Sequence, residues 1–467
     1  PGTAADGDGT NLSFNPRMQH QRASLLLENG HVVIGWGSHC DFSPWHGWIM
    51  SYNAGTLAQE GAFNTSANGS GNGVWMGGGG LAADAGGNIY FPTGNGTWNG
   101  TTDFGDSIIK LGAPSGGSFP VVDYFTPYNQ SSLSGGDLDL GSGGLVLLPP
   151  LPSGQQTLAQ MGKDGKIHLV DINNMGKYCV QAVPVCHGFD SNIVQEIPAA
   201  TAGVWGSPAY WNGSVYWGPA SEGTPDGLKA FSFNANQSGQ LSTSAVSESP
   251  NVFTFSGSSP AISANGNSNG ILWSLDNSAF RAGCSAGANC QILYAYDATN
   301  LANMLYSSSM APNYRDIPGG AVKFTTPTVA NGKVYVGSQA GVTAYGLISN
   351  IPTAAMPTFS TSPGSYTQPI SVTLSNSTPG STIYCTSDGT TPTVSSPACG
   401  TIAINSTTTL KAIAAAPGFN PSGVATGPFV INAGATGPNY GSGFTSAGLT
   451  LNGSARLNGT RLQLTDT

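Results

Sequence analysis

One short pattern recurs along this chain and restricts its fold more than any other feature. NGHVVIGWGS begins at Asn29, GNIYFPTGNG at Gly87, TLAQMGKDGK at Thr157, NGSVYWGPAS at Asn212, NGILWSLDNS at Asn269 and NGKVYVGSQA at Asn331. Most copies open on a polar or Gly-led turn, continue as a short apolar run and end in a Gly-rich or polar turn. Taking Val33, Tyr90, Gln160, Tyr216, Trp273 and Tyr335 as equivalent, the copies lie 57, 70, 56, 57 and 62 residues apart. Short strands at a period of roughly 40–60 residues point to propeller blades. A second strand follows most anchors: WIMSYNAGTL from Trp48, SIIKLGAPSG from Ser107, KIHLVDINNMG from Lys166, LKAFSFNANQSG from Leu228 and ILYAYDATNL from Ile292. Each runs apolar and then meets Asn, Asp, Gly or Ser, as a strand entering a turn does.

Composition agrees with an all-β chain. Only 8% of residues are charged, against a usual ~25%. There are 67 Gly and 31 Pro for turns, and 9 Trp, 16 Tyr and 18 Phe for cores. At 467 residues, a prior of ~150 residues per domain suggests about three domains, although many blades count as one. The expected organisation is a β-propeller over 1–349 with six recognisable blades, a linker over 350–356, a small β-sandwich over 357–431, and a linker with a truncated β segment over 432–467. Closing a ring hides sheet edges, so six blades imply a small ring or an incomplete one.

Charge and cysteines bound the function. The net charge is −9 with 14 Lys plus Arg, which excludes the basic footprint of a nucleic-acid binder. No apolar stretch reaches the ~18 residues of a spanning helix. The chain starts at Pro1 without a Met, as a processed or excised piece does, so secretion is not judged from a leader. Cys179 and Cys186, Cys284 and Cys290, and Cys385 and Cys399 are local pairs, each suited to closing a loop. A zinc site fits less well, because no CxxC occurs. Cys40 is left over. Disulfides imply an oxidising compartment and therefore export.

The blade segment resembles the quinoprotein-like (pyrroloquinoline-quinone-dehydrogenase-like) propeller repeat proteins. The resemblance is carried by GSHCDFSPWHGWIMSYN (37–53), GNIYFPTGNGTWNGTTDFGDSIIKL (87–111), GSGGLVLLPP (141–150), MGKDGKIHLVDINNMG (161–176), GVWGSPAYWNGSVYWGP (203–219) and FTTPTVANGKVYVGS (324–338). It implies propeller shape. Quinone chemistry is not implied. The family's A-x-D…G-x-x-x-W docking signature survives as Ala295 and Asp297, but Leu301 replaces the Gly and Leu305 the Trp, and the adjacent cysteines of the quinone-using alcohol dehydrogenases do not occur. Pyrroloquinoline quinone is therefore not the expected cofactor. Residues 357–431 resemble the C-terminal β-sandwich module of chitobiase and β-hexosaminidase, through Pro357, Gly364, Tyr366, Pro379, Gly380, Ile383, Asp388, Gly389, Pro392 and Leu410-Lys411-Ala412. That module is non-catalytic and accompanies secreted, often carbohydrate-active, proteins. Residues 444–467 resemble the first strands of a legume-type lectin, through Phe444, LNGSA (451–455) and LQLT (462–465).

Several constellations carry possible chemistry. His39, Asp41 and His46 offer two imidazoles and a carboxylate in one loop, suited to a transition metal or to bracing that loop. Asn95, Asp103 and Asp106 are oxygen donors around a Gly/Asn-rich loop, suited to Ca²⁺ or to turn-stabilising hydrogen bonds. Lys163 and Arg315 are candidate ligand-facing cations in a chain with few charges. Trp98, in GNGTWNG, is the candidate surface aromatic for stacking on a sugar. His168 lies in an apolar run and reads as a satisfied core residue. No pair of carboxylates and no Ser-His-Asp set is singled out. The expected function is a secreted or cell-surface modular protein that binds extracellular glycan, with the propeller a non-catalytic platform. The alternatives are an exported quinone- or metal-dependent oxidoreductase with its site at the propeller axis, and a structural adhesion protein.

Overall fold

The computed structural model describes residues 11–179, 188–347 and 352–432, apart from 222, 236–237 and 286, together with Cys186 and the strand residues 3–5, 456–458 and 461–463. Pro1–Gly346 and Leu347–Thr467 are two compact units. The first is a β-propeller of six consecutive sheets.

Blade 1 is built on Leu26–Glu28, His31–Ser38, Trp48–Asn53 and Gln59–Asn64. Blade 2 uses Ala82–Ala83, Ile89–Pro92, Ile108–Leu111 and Val121–Thr126. Blade 3 uses Leu145–Leu147, Thr157–Met161, Ile167–Asp171 and Gln195–Ile197. Blade 4 uses Ala209–Trp211, Ser214–Trp217, Asp226–Ser232 and Ser247–Phe253. Blade 5 uses Ala261–Asn265, Ser268–Asp276, Ile292–Asp297 and Asn300–Ser307. Blade 6 has Thr328–Ala330, Lys333–Gly337 and Val342–Tyr345. Within each blade these strands pair antiparallel in chain order. All six repeat anchors fall in the second strand of their blade. The Asn-Gly pairs have a local reason: Asn29 and Gly30, Asn212 and Gly213, and Asn331 and Gly332 all have positive φ, as a two-residue hairpin turn that follows the strand twist requires.

The apolar runs are continuous because each blade is covered on both faces. In blade 2, Ile89 and Phe91 pack with Val33 and Ile49 of blade 1, while Tyr90 between them packs with Leu158 and Val170 of blade 3. In blade 4, Val215 and Trp217 pack with Ala159 and Leu169 of blade 3, and Tyr216 with Leu272 and Tyr296 of blade 5. Val334 and Val336 of blade 6 join Leu275 and Leu293 of blade 5. Successive residues of a strand point to opposite faces, so one strand serves two interfaces. The far face of blade 1, with Trp48 and Met50, is covered by Leu12 and Phe14. Leu27 of blade 1 and Val342 of blade 6 are 68% and 72% exposed, and no packed core joins these two blades among the described residues.

The second unit contains a sandwich. One sheet orders Thr358–Phe359, Ile370–Ser375 and Thr401–Ile404; the other orders Gly364–Tyr366, Ala425–Ile431, Thr408–Ala415 and Thr382–Thr386. Val372, Leu374, Ile404, Leu410, Ala412 and Phe429 fill the space between them. Residues 352–356 lie on this unit: Ala354 is buried, and its N–H donates to Asn420 O at 2.9 Å. Arg456–Asn458 and Arg461–Gln463 form an antiparallel pair. Phe444 and residues 451–455 lie outside the described residues. Disulfides join Cys179 to Cys186, Cys284 to Cys290 and Cys385 to Cys399. Cys40 is free and exposed.

Candidate axial binding site

The segments that lead into the first strand of each blade meet at the propeller axis. Gly77 and Gly78 enter blade 2. A Cβ on Gly77 would fall 1.4 Å from the Trp205 carbonyl oxygen of the blade 4 connector, and one on Gly78 would fall 2.4 Å from Phe324 O of the blade 6 connector. Both residues have positive φ, so only glycine fits this crossing without strain. Hydroxyls then stitch the connectors together. Ser207 Oγ donates to Met76 O at 2.9 Å, Ser259 Oγ to Gly77 O at 2.7 Å, Ser24 Oγ to Gly78 O at 2.9 Å and Ser142 Oγ to Val204 O at 2.6 Å. Met76–Gly79 thereby touches the connectors of blades 1, 4, 5 and 6 and forms a floor across the axis.

The same connectors line a cup of about 1200 Å³. Every connector contributes: Arg22 to blade 1, Trp75 to blade 2, Asp137 and Asp139 to blade 3, Trp205 to blade 4, Phe255 to blade 5, and Lys323 and Phe324 to blade 6. The turns after the second strands add His39, Asp41 and Trp45 from blade 1, Asn95 and Gly96 from blade 2, and Lys163 from blade 3.

The lining mixes aromatic and charged groups. Trp45 and Trp75 meet with centroids 5.5 Å apart, and Trp205 and Phe255 meet edge to face at 5.0 Å. The Arg22 guanidinium lies 4.2 Å from the Phe324 centroid and 4.9 Å from that of Trp75, and its Nε donates to Trp75 O at 3.2 Å. Burial lowers the Arg22 pKa to about 10, and Asp139 and Asp41 offset only part of that. No described carboxylate comes within ion-pairing distance of it. Lys323 stands 5.0 Å from the Phe324 centroid.

Lys163 Nζ sits 2.7 Å from Asp139 Oδ2 and 3.1 Å from Asp137 Oδ1. Asn95 donates to the same carboxylates, from its backbone N–H to Asp139 at 2.7 Å and from Nδ2 to Asp137 at 2.8 Å. Burial opposes the Lys163 charge, yet the two aspartates raise its pKa. Burial also raises Asp139, against Lys163 and the Asn95 N–H. The result is a fixed array of donors and acceptors in a cup that aromatic rings also line.

The candidate residues separate on this frame. Lys163, His39, Asp41 and Asn95 line the cup. His46 does not: its Nδ1 lies 3.0 Å from Ser66 O and 3.1 Å from Ser66 Oγ. Asp103 accepts from Asn68 N at 3.0 Å and from Asn99 Nδ2. Asp106 is buried, accepts from Leu140 N at 3.1 Å, and is raised well above its ordinary pKa by burial. Asn95 and Asp103 thus hold different partners, while Asp106 keeps one oxygen, Oδ2, without a partner. Trp98 packs against Tyr178 in a tilted arrangement with centroids 4.4 Å apart and donates from Nε1 to Thr126 Oγ1 at 3.0 Å. Arg315 pairs with Asp316 at 2.6 Å and is 55% exposed.

Arg22, Trp75, Phe255 and Phe324 were not singled out by sequence. A signal exists: an aromatic stands shortly before the Pro that opens the strand in WGSP, FSGSSP and FTTP. His168 needs a correction. It is fully buried, but neither ring nitrogen has a hydrogen-bond partner.

Residues 361–426 match the family described as the chitobiase/beta-hexosaminidase C-terminal domain. None of the curated proteins matches the chain. Among solved structures, a quinohemoprotein alcohol dehydrogenase from Pseudomonas putida HK5 is similar at 16% identity over 72% of this chain and 58% of that one, with a TM-score of 0.40. A quinohemoprotein alcohol dehydrogenase from Comamonas testosteroni gives 16% identity, 70% and 58% coverage, and a TM-score of 0.38. The PQQ-bound aldose sugar dehydrogenase from Streptomyces coelicolor gives 16%, 61% and 85%, and 0.31. The chain spans 58% of the length of the two alcohol dehydrogenases. By its own sheets the chain is a β-propeller, followed in sequence by a segment similar to the chitobiase/β-hexosaminidase C-terminal domain.

Proposed function

We propose that the axial cup binds an extracellular carbohydrate carrying an acidic group, and that the propeller acts as a binding platform. The observation that carries this reading is the cup's mixed lining of aromatic rings and fixed polar groups. Trp75, Trp45, Trp205 and Phe255 offer flat apolar faces, and Asn95, Asp137, Asp139 and Lys163 offer fixed polar groups in the same cup. Ligand sites combine such apolar lining with a few placed polar groups. Sugar rings present both kinds of surface. Arg22, half-buried and without an ion pair among the described residues, supplies the positive charge that a sugar carboxylate needs. A buried cation is retained at a cost unless a counter-charge meets it.

The match of residues 361–426 supports a carbohydrate setting, and the lectin-like run at 444–467 is proposed to extend it. Three disulfides support export to an oxidising compartment. A second reading, oxidoreductase chemistry at the same axis, is favoured by one observation: Asp139 is a buried carboxylate that lines the cup, with a pKa raised by burial.

An array of neutral and uronate-containing oligosaccharides, probed with the full chain and with Trp75→Ala, tests the proposal. Binding of acidic glycans that is lost in Trp75→Ala supports it. Absence of binding to any glycan, with turnover of a sugar or alcohol by a dye-linked assay, overturns it in favour of the second reading.

A further inference from the structure

The third blade holds a second cluster, separate from the cup. His168 Nε2, Asp190 and Glu196 each bring one ligand atom within 4.8 Å of the others. His168 and Glu196 are direct cross-strand partners on Ile167–Asp171 and Gln195–Ile197, so the sheet itself puts them side by side. Asp190 arrives from the segment that follows the Cys179–Cys186 disulfide. Its position is set by two bonds: Tyr128 N donates to Oδ1 at 2.7 Å, and its own N–H donates to Glu196 Oε2 at 2.7 Å. Its other oxygen, Oδ2, then faces His168.

That geometry leaves three buried polar atoms without partners: His168 Nδ1, His168 Nε2 and Asp190 Oδ2. Each such atom costs about 1–3 kcal/mol, and a folded chain rarely leaves several together. A shared proton does not resolve the pair. His168 Nε2 and Asp190 Oδ2 are 3.9 Å apart, beyond the ~2.7–3.2 Å of a hydrogen bond. The same separation suits a metal between them, because Zn²⁺ binds His nitrogen and carboxylate oxygen at about 2.0–2.2 Å. Lys166 Nζ lies 3.1 Å from Glu196 Oε1, so it balances one of the two carboxylates.

We infer that His168, Asp190 and Glu196 form a buried binding site for a divalent transition metal of the Zn²⁺ class, which locks the Asp190 segment onto the third blade. One imidazole and two carboxylates select such an ion over Ca²⁺, which takes ~6–8 oxygens. Burial of His168 and Asp190 makes the site structural rather than open to substrate.

The test strips the full chain with a chelator and titrates it with Zn²⁺, Co²⁺ or Ca²⁺, reading metal per chain, the visible spectrum of the Co²⁺ form and the melting temperature. The expected result is one Zn²⁺ or Co²⁺ per chain, a visible Co²⁺ absorption, a rise in melting temperature, and no such response to Ca²⁺. Glu196→Gln and His168→Gln weaken uptake at least tenfold and abolish the thermal response, while His39→Gln, in the cup, retains both. If His168→Gln does not fold, the wild-type stoichiometry and Glu196→Gln decide. The inference is overturned by substoichiometric uptake in the wild type, by unchanged uptake in Glu196→Gln, or by loss of uptake in His39→Gln.

Discussion

Ser207 Oγ donates to the carbonyl of Met76 at 2.9 Å across 131 residues of chain. The bond ties the entry of blade 4 to the floor that blade 2 lends to the axis. The floor is thus a shared element, and its strain and hydrogen bonds hold several blades at once.

Substitutions at the floor therefore destabilise the whole propeller. Gly77→Ala places a Cβ 1.4 Å from Trp205 O at a positive φ, a backbone clash that side-chain movement does not relieve. We expect a loss of about 4 kcal/mol or more, the range reserved for such mechanisms. Ser207→Ala removes one of two donors to Met76 O, the other being Gly79 N at 2.7 Å, and costs about 0.5–1.5 kcal/mol. Denaturant unfolding followed by tryptophan fluorescence measures both.

The blades were legible in the sequence because their physics is local. An Asn-Gly turn and a run such as Ser214–Trp217 announce a hairpin without help from distant residues. The cup was much less legible. Arg22, Trp75, Trp205, Phe255 and Phe324 are far apart in the chain and share nothing beyond meeting in one cup. Lys163 was identified from the rarity of charge, but its partners Asp137 and Asp139 were not linked to it, since that pairing spans two separate turns. His168 was misread because an apolar run predicts burial correctly and says nothing about hydrogen-bond partners.

Asp106 gives a pH signature. Burial raises its pKa well above the ordinary 3.8, and Oδ2 has no partner. The folded state therefore holds the proton more tightly than the unfolded one. Its stabilising contribution is complete below pH 3.8 and is lost as pH rises through the raised folded value. Asp106→Asn, which cannot ionise, should match wild type near pH 4 and be the more stable protein at pH 8. Melting temperatures of both proteins across that range check it.

The Cys385–Cys399 disulfide closes a 14-residue separation within the sandwich. Replacing both cysteines with serine should cost that unit about 3 kcal/mol. Hydrogen exchange resolves the effect: protection falls in Thr382–Thr386 and Thr408–Ala415, and stays unchanged in the propeller strands.

Calorimetric titration of a uronate-containing oligosaccharide into wild type, Trp75→Ala and Arg22→Met tests the central claim most directly. The account predicts about tenfold or greater weakening in Trp75→Ala, equivalent to about 1.4 kcal/mol. In Arg22→Met it predicts loss of the preference for the acidic over the matching neutral sugar. Equal affinity in all three proteins would place binding away from the cup and contradict the account.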